Sequence, residues 1–468
     1  MSDPTRKFPI VGIGASAGGV AALRDFFNDV PAECGMAFVI VTHLSADRES
    51  LLHEIIQRQT ELPVTVAEDG QVVEKNNVYV MPSGVSLSIG NGILSVRSLS
   101  GKRDRKPIDA FLSTLAIDQG EHAVGIILSG GDGDGTLGAK AIKMHGGLTL
   151  AQTGDGSGPQ QADMPRSAIK TGVIDLAVPV ESMASKLADY VRGFSLLEQM
   201  GKSGEALEND LETARLKICA ILGSHTGHDF SGYKPKTFLR RTRRRMQIMH
   251  IGNIDDYLDL LYRDTEEVDA FFRDLLINVT SFFRDARAFK LLETDILPKL
   301  FADKDETDTL RIWIPGCATG EEVYSIAILV REHIAQSSGA APRIQIFATD
   351  IDEAALSVAR AGRYPASLLE GVSPERRRRF FTSDDTSYVI NSEIRELCIF
   401  SPHNVTRDPP FSRMDLVSCR NLLIYLGPEV QKRVIPTFHY ALRPGGFLFL
   451  GTSESINQHH DLFTAVDK

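Results

Sequence analysis

A serine, a histidine and an aspartate stand at three points in the first third of the chain where an apolar run gives way to a turn. Ser16 lies in GIGASAGG, residues 12 to 19; His43 follows the run MAFVIVT; Asp134 lies in GGDGDG, two residues after Asp132. Such a set can carry nucleophilic acyl transfer, in which the serine attacks, the imidazole takes its proton and the carboxylate orients the imidazole and stabilises its charged form. The glycine turn admits a second reading. Gly12, Gly14 and Ala17 fit the loose dinucleotide pattern G-x-G-x-x-G/A, while Gly14, Ser16 and Gly18 fit the nucleophile elbow G-x-S-x-G. A dinucleotide fold would end its second strand in a carboxylate for the ribose hydroxyls, and here that strand ends in His43. The turn is therefore read as presenting Ser16, with oxyanion donors expected from the Ala17 amide and from the Gly130 to Gly131 turn. Asp132 competes with Asp134 for the role of orienting acid.

A second chemistry is expected further on. LRIWIPGCATGEEVYSIAI, residues 310 to 328, reads as strand, small-residue turn and helix without the G-K-[ST] of a P-loop. Asp350 ends the next strand, in IQIFATDID, where a carboxylate would grip ribose hydroxyls, so a nucleoside ligand is expected. The arginines of FLRRTRRRM (Arg240, Arg241, Arg243, Arg244 and Arg245) raise the question of nucleic acid, but no aromatic side chains interleave with them as a stacking surface requires. That leaves protein docking or a plain solvated face. ERRRRF, residues 375 to 380, is read as a solvated helix face.

The elements that must position these groups follow from length and patterning. At 468 residues the chain is expected to form about three domains, and 43% hydrophobic and 24% charged residues describe a globular protein. No apolar run reaches the roughly 18 to 20 residues that span a bilayer, and the start MSDPTRKF lacks a signal-peptide core, so a cytoplasmic protein without membrane insertion is expected. Cys34, Cys219, Cys317, Cys398 and Cys419 show no metal spacing, and free thiols without a bound metal are expected. A net charge of −10 argues against a general nucleic-acid binder. Strand-like runs at Phe38 to Thr42, Val78 to Met81, Val124 to Leu128 and Thr149 to Ala151 alternate with helical segments, which predicts a doubly wound, mostly parallel sheet. QMGKSGEALEND reads as a linker, residues 211 to about 290 as helical, and the remainder as a second α/β domain with an antiparallel finish.

In order, GIGASAGG, VTHLS, AEDGQVVEKNNVYVMPSG, LSGGDGDGTLGAKAIK and ADMPRSAI resemble the catalytic domain of CheB-type chemotaxis methylesterases. GYKPKTFLRRTRRRM, NVTSFFRD, LRIWIPGCATGEEVYSIAI, SPHNV, MDLVSCRNLLIYL and ALRPGGFLFLGTSE resemble CheR-type chemoreceptor glutamate methyltransferases. The resemblance implies a methylesterase domain over 1–195, a linker over 196–210, a helical domain over 211–288 and a Rossmann-like methyltransferase domain over 289–468, with a small inserted β-subdomain about 363–400. It implies S-adenosylmethionine as cofactor, contacted by Asn278, Thr280, Arg284, Glu322, Asp350, Asn404, Val405, Arg420 and Asn421, with Arg284 and Tyr425 near the reacting methyl. It assigns the esterase triad to Ser16, His43 and Asp134. The implied activity is opposed writing and hydrolysis of glutamate methyl esters on the cytoplasmic helices of chemoreceptors. The alternative is a signalling scaffold in which one or both sites do not turn over.

Overall fold

The structure, a computed structural model, describes residues 8–43, 51–98, 106–200, 205–276, 280–302, 304–337, 341–369, 371–384, 387–456 and 459–467. The chain divides into two units, the first comprising Met1–Asp210 and Arg240–Tyr257, the second Leu211–Leu239 and Leu258–Lys468.

Strands of the first unit are β1 (Ile10–Ala15), β2 (Ala37–Thr42), β3 (Val64–Val66), β4 (Val78–Val80), β5 (Val85–Gly90), β6 (Ile93–Ser98), β7 (Ala123–Ile127), β8 (Leu148–Gln152) and β9 (Leu176–Val178). Seven of them form a sheet in the order β3-β4-β2-β1-β7-β8-β9, every pair parallel, while β5 and β6 make a separate antiparallel hairpin. Alternation along β1 and β2 feeds two cores. Val11, Ile13, Phe38 and Ile40 join Phe26 and Phe27 on one face, and Ile10, Val39 and Val41 join Phe111 and Leu112 on the other. Gly12 and Gly14 face that second core. A Cβ at Gly12 would stand 2.5 Å from Leu112 Cδ2 and one at Gly14 2.4 Å from Ile108 Cγ2, so both glycines exist to let helix Pro107–Gln119 lie against the strand. That removes the phosphate reading of the first two glycines. Chain order reverses between β1 and β7, which opens a crevice at the carboxyl ends of the strands.

The linker expected over 196–210 is helical at both ends: one helix runs Val180–Met200 and the next Glu205–Thr226, with 201–204 outside the described residues. Glu, Ala and Leu in EALEND are strong helix formers, which outweighed the polar composition. The expected helical domain over 211–288 supplies helices Pro235–Ile248, Ile254–Arg263 and Thr265–Leu275, but residues 240–257 group with the first unit. The reason is two buried arginines. Arg241 donates to the carbonyls of Lys143 at 3.2 Å and Met144 at 3.4 Å, at the end of helix Thr136–Met144. Arg244 donates to Gly147 O at 3.1 Å and pairs with Asp175, which also receives Lys143 Nζ at 3.1 Å. Burial opposes charge on Asp175, but Arg244 and Lys143 outweigh it and hold the carboxyl well below the usual range. Arg241 and Arg244 are 1% and 2% exposed. Of the five arginines read as a docking or solvated face, these two are structural.

Strands of the second unit are β10 (Thr309–Pro315), β11 (Arg343–Asp350), β12 (Arg363–Pro365), β13 (Phe381–Asp384), β14 (Ser387–Ile390), β15 (Cys398–Pro402), β16 (Met414–Cys419) and β17 (Leu442–Leu450). A five-stranded sheet runs β15-β11-β10-β16-β17, and β12-β14-β13 form the small antiparallel insert. The antiparallel finish expected for the last strand is not found: β17 pairs with β16 in parallel. Helix Pro428–Ala441 carries the chain back across the sheet, and RPGG stands inside the strand. In ERRRRF, Arg376 grips Glu332 through Nε and Nη2 at 3.0 and 2.7 Å, while Arg378 and Arg379 are exposed.

Candidate active sites

Ser16 follows β1 on a turn closed at both sides. Its N–H donates to Ser129 O at 2.9 Å and its carbonyl accepts from Gly19 N at 2.8 Å. Gly18, at φ 76°, has no room for a Cβ, which would sit 2.6 Å from Gln160 Cβ, so this position needs glycine for both conformation and space. Helix Gly19–Asn28 starts directly after. His43 follows directly on β2, beside Ser16, because β1 and β2 pair in parallel with Ala15 opposite Thr42. Asp134 lies on the loop after β7, on the other side of β1.

The three side chains meet in sequence. His43 Nε2 lies 2.7 Å from Asp134 Oδ2, and His43 Nδ1 lies 3.5 Å from Ser16 Oγ. The carboxylate fixes the ring proton on Nε2, which leaves the Nδ1 lone pair facing the serine. A separation of 3.5 Å is long for a formed hydrogen bond, of the kind that tightens when substrate is present. Asp134 is buried and fully engaged: besides the imidazole, Oδ2 accepts Ile108 N at 3.0 Å, and Oδ1 accepts Asp109 N at 2.9 Å and Gly135 N at 2.8 Å. Burial pushes the Asp134 pKa up, but these donors outweigh it and hold the carboxyl below its usual range. His43 is correspondingly raised, first by the Asp134 bond and against the pull of burial.

Asp132, the competitor, lies by the other ring nitrogen. Its Oδ1 accepts the Asp134 N–H at 2.9 Å, and its Oδ2 lies 3.6 Å from Nδ1, the opposite face of the imidazole from Asp134. Of the expected oxyanion donors, Gly130 N is committed to Gln161 O at 2.9 Å, so the turn can offer only Gly131. Ala17 is exposed beside Ser16 at the helix start. A residue that sequence reasoning missed is Asp109, whose Oδ1 accepts Gly138 N at 2.7 Å and which ties helix Pro107–Gln119 to helix Thr136–Met144 beneath Asp134. Burial, then the neighbouring Asp134 charge, pushes its carboxyl well above the usual range, against the pull of the Gly138 amide and of Lys106.

In the second unit a cleft of about 790 Å³, open solvent at its mouth included, lies at the carboxyl ends of β10, β11 and β16. Asp350, Asn404, Val405, Asn421 and Tyr425 line it together. Asp350 Oδ2 accepts Ala318 N at 2.8 Å and Oδ1 accepts Asp352 N at 3.0 Å, which fixes the carboxylate and leaves a lone pair on each oxygen for a pair of hydroxyls. Burial raises its pKa against the pull of those amides. Ala318 and Asn421 both hold positive φ, 47° and 61°, bending the backbone around the cleft at a cost that regular structure would avoid.

Other residues read from the sequence stand elsewhere. Asn278 lies outside the described residues. Among the described residues, Thr280, Arg284, Glu322 and Arg420 do not line the cleft. Glu322 accepts from Ser418 Oγ at 2.7 Å and pairs with Arg420 at 3.3 Å; burial raises its pKa, partly offset by Arg420 and Ser418. Arg420 in turn donates to Arg284 O at 3.0 Å and Asp285 at 2.6 Å, and lies over Phe289 and Phe449. This buried strut fixes segment 280–285 from below.

Residues not anticipated include His228, Phe230 and Tyr233, which line the same cleft from the segment before helix Pro235–Ile248. His228 Nδ1 accepts from Asn404 Nδ2 at 3.3 Å and its ring stacks on Phe272; burial, then Arg407, lowers its pKa, so it is a neutral acceptor. Glu454 was also missed: it accepts from the amides of Asn421 at 2.8 Å and Leu423 at 2.7 Å, pinning the loop that carries Asn421 and Tyr425. The only available signal was aromatic and acidic residues in GHDFSGY and GTSE, which is indistinct without the fold.

Residues 11–187 match the family model described as CheB methylesterase, 216–276 the CheR methyltransferase all-alpha domain, and 278–468 the CheR methyltransferase SAM binding domain. An uncharacterised 104.1 kDa protein of Rhodobacter capsulatus is 37% identical over 430 residues, which take in 88% of this chain and 45% of that protein. The chain thus spans less than half the length of that relative. A chemotaxis protein methyltransferase of Listeria innocua is 31% identical over 247 residues, 53% of this chain and 92% of that one. A crystal structure of the Thermotoga maritima CheB methylesterase catalytic domain is 28% identical with a TM-score of 0.37, covering 39% of this chain and 99% of that one.

Proposed function

We propose that this chain, which belongs to the chemotaxis protein methyltransferase family and carries a CheB methylesterase domain ahead of that enzyme, methylates glutamate side chains on the cytoplasmic helices of chemoreceptors and hydrolyses the resulting esters. The observation that carries the reading is the line of contacts Ser16, His43, Asp134, at 3.5 and 2.7 Å, in a chain that also holds a buried carboxylate at the end of β11 in a nucleoside-sized cleft. Among the described residues no helix is long and apolar enough to cross a membrane, which accords with action on the cytoplasmic part of a receptor.

In the esterase site Ser16 Oγ attacks the ester carbonyl while His43 Nδ1 takes its proton, and the imidazolium is balanced by Asp134 at Nε2. The developing oxyanion is met by the amides of Ala17 and Gly131. His43 returns the proton to the departing methoxide, which leaves as methanol. Water then repeats the sequence against the acyl-serine, and glutamate is released.

S-adenosylmethionine fits the second cleft: Asp350 would take the ribose hydroxyls, and Asn404, Val405 and Asn421 would help to hold the nucleoside. When bound, it supplies an electrophilic methyl group on a sulfonium. Glu454 and the Glu322–Arg420 strut hold the two segments that carry Tyr425 and Arg284. The acceptor carboxylate is already ionised at neutral pH and needs no base, so orientation is the protein's main task.

Methyl-label transfer from radioactive S-adenosylmethionine to receptor membranes, followed by methanol release, tests this. Asp350→Ala is expected to stop labelling, and Ser16→Ala to preserve labelling while stopping release. Methanol release by Ser16→Ala at the wild-type rate would overturn the esterase assignment, and undiminished labelling by Asp350→Ala the cofactor assignment.

A further inference from the structure

The imidazole of His43 is flanked by two carboxylates, and the reaction above uses one. Asp134 occupies Nε2, whereas Asp132 Oδ2 lies 3.6 Å from Nδ1, the same nitrogen that Ser16 Oγ approaches at 3.5 Å. Asp132 is not loose. Its other oxygen holds the Asp134 N–H at 2.9 Å, which aims the carboxylate at the ring from a side chain that is 49% exposed, at the open side of the site.

We propose that Asp132 is a second working carboxylate of the esterase: it shares the proton-accepting nitrogen of His43 with Ser16 and drives the carboxylate product out of the site. The inference rests on the esterase reading. Hydrolysis changes the charge of the group lying between Ser16 and Nδ1, since a neutral methyl ester enters and an anion is left. A fixed anion at Nδ1 tolerates the first and repels the second, while it also favours the imidazolium that forms as Ser16 gives up its proton.

The charged groups that face His43 are Asp134 and Asp132, which favour its protonated form, and Lys106, which opposes them. Because the base must be neutral to accept a proton, Asp132 moves the acidic limb of the pH–rate profile upward, and its removal moves that limb down. For an ion pair of this separation and exposure the shift is a few tenths to about one pH unit, shrinking as salt is raised.

Asp132→Asn and Asp132→Ser both keep an oxygen to accept the Asp134 N–H, and the two together guard against a folding defect in either. Against a methyl-labelled receptor fragment, both are expected to lower the acidic limb of kcat/KM at low ionic strength and to be inhibited several-fold more strongly by the unlabelled, demethylated fragment. NMR titration of the His43 ring gives a readout that does not need turnover: its pKa falls in both variants. An unchanged His43 titration in both overturns the inference. Wild-type protein that releases no methanol, with His43 still shifted in the variants, overturns the esterase reading instead and leaves the Asp132–His43 coupling standing.

Discussion

Asp134→Asn isolates the orienting acid with almost no change in volume. Asp134 uses both oxygens: Oδ1 accepts from the amides of Asp109 and Gly135, and Oδ2 accepts from Ile108 N and His43 Nε2. An asparagine has one oxygen. If that oxygen stays with the Oδ1 pair, its NH₂ faces the Ile108 N–H and the imidazole. The Ile108 amide is then orphaned in the interior, at about 1–3 kcal/mol, and the ring must turn its acceptor nitrogen to the new donor. The proton moves to Nδ1, so the nitrogen facing Ser16 can no longer accept. The opposite orientation orphans the Asp109 and Gly135 amides, a larger loss, so the first prevails. Loss of the correct tautomer in a serine triad lowers kcat by about 10⁴ in the well-studied protease example, and a fall of about 10³–10⁴ in methanol release is expected here. The unfolding midpoint should drop by about 2–4 °C for each kcal/mol lost. Stopped methanol assays across pH, paired with thermal scans, measure both. A variant within tenfold of wild type would show that Asp134 does not set the tautomer, and the triad as drawn would be wrong.

The same pair sets a pH window. Its contribution to stability is lost on the acid side as Asp134 takes up a proton below the usual carboxylate range, and on the alkaline side as His43 gives one up above the usual histidine range; the difference in unfolding midpoint between wild type and Asp134→Asn should narrow at both ends, leaving on the alkaline side the cost of the orphaned Ile108 amide. Asp109→Asn should retain most esterase activity because an amide oxygen can still accept the Gly138 N–H, whereas Asp109→Ala should lower kcat at least tenfold with little change in KM by releasing the anchor to Gly138 N. Asp350→Ala should weaken S-adenosylmethionine at least 100-fold by calorimetry, since charge-assisted hydrogen bonds are worth about 1.5–3 kcal/mol each; the fluorescence of Trp313, which packs against His403 at the cleft, reports the same titration. Asp175→Asn should cost the first unit about 3–5 kcal/mol in chemical denaturation by leaving Arg244 buried without its anion.

What was legible in the sequence was local. Ser16, His43 and Asp350 are read from strand ends, because a fully buried parallel strand shows as an unbroken apolar run whose last residue is placed at the crevice. β3, β9 and the β5–β6 hairpin are short or half-exposed and carry little pattern. The role of the arginines was not legible, since nothing near Arg244 in sequence announces Asp175 as its partner. Composition reads a basic helix as a solvated face, and only the fold shows which arginines turn inward. Apart from the family resemblance, which assigns Asp134, nothing in the residues themselves ranked Asp132 against Asp134: two residues apart in a glycine loop, they reach opposite nitrogens of one ring.

The first unit takes up residues 240–257 after the chain has already entered the second, and this bears on synthesis. Domains ordinarily collapse as the ribosome delivers them, amino end first. Here Asp175 emerges well before Arg244, with Lys143 alone beside it, and the carbonyls of Met144 and Gly147 wait for their guanidinium donors. The sheet edge that carries Asp175 is therefore completed only after residues 240–257 have been translated.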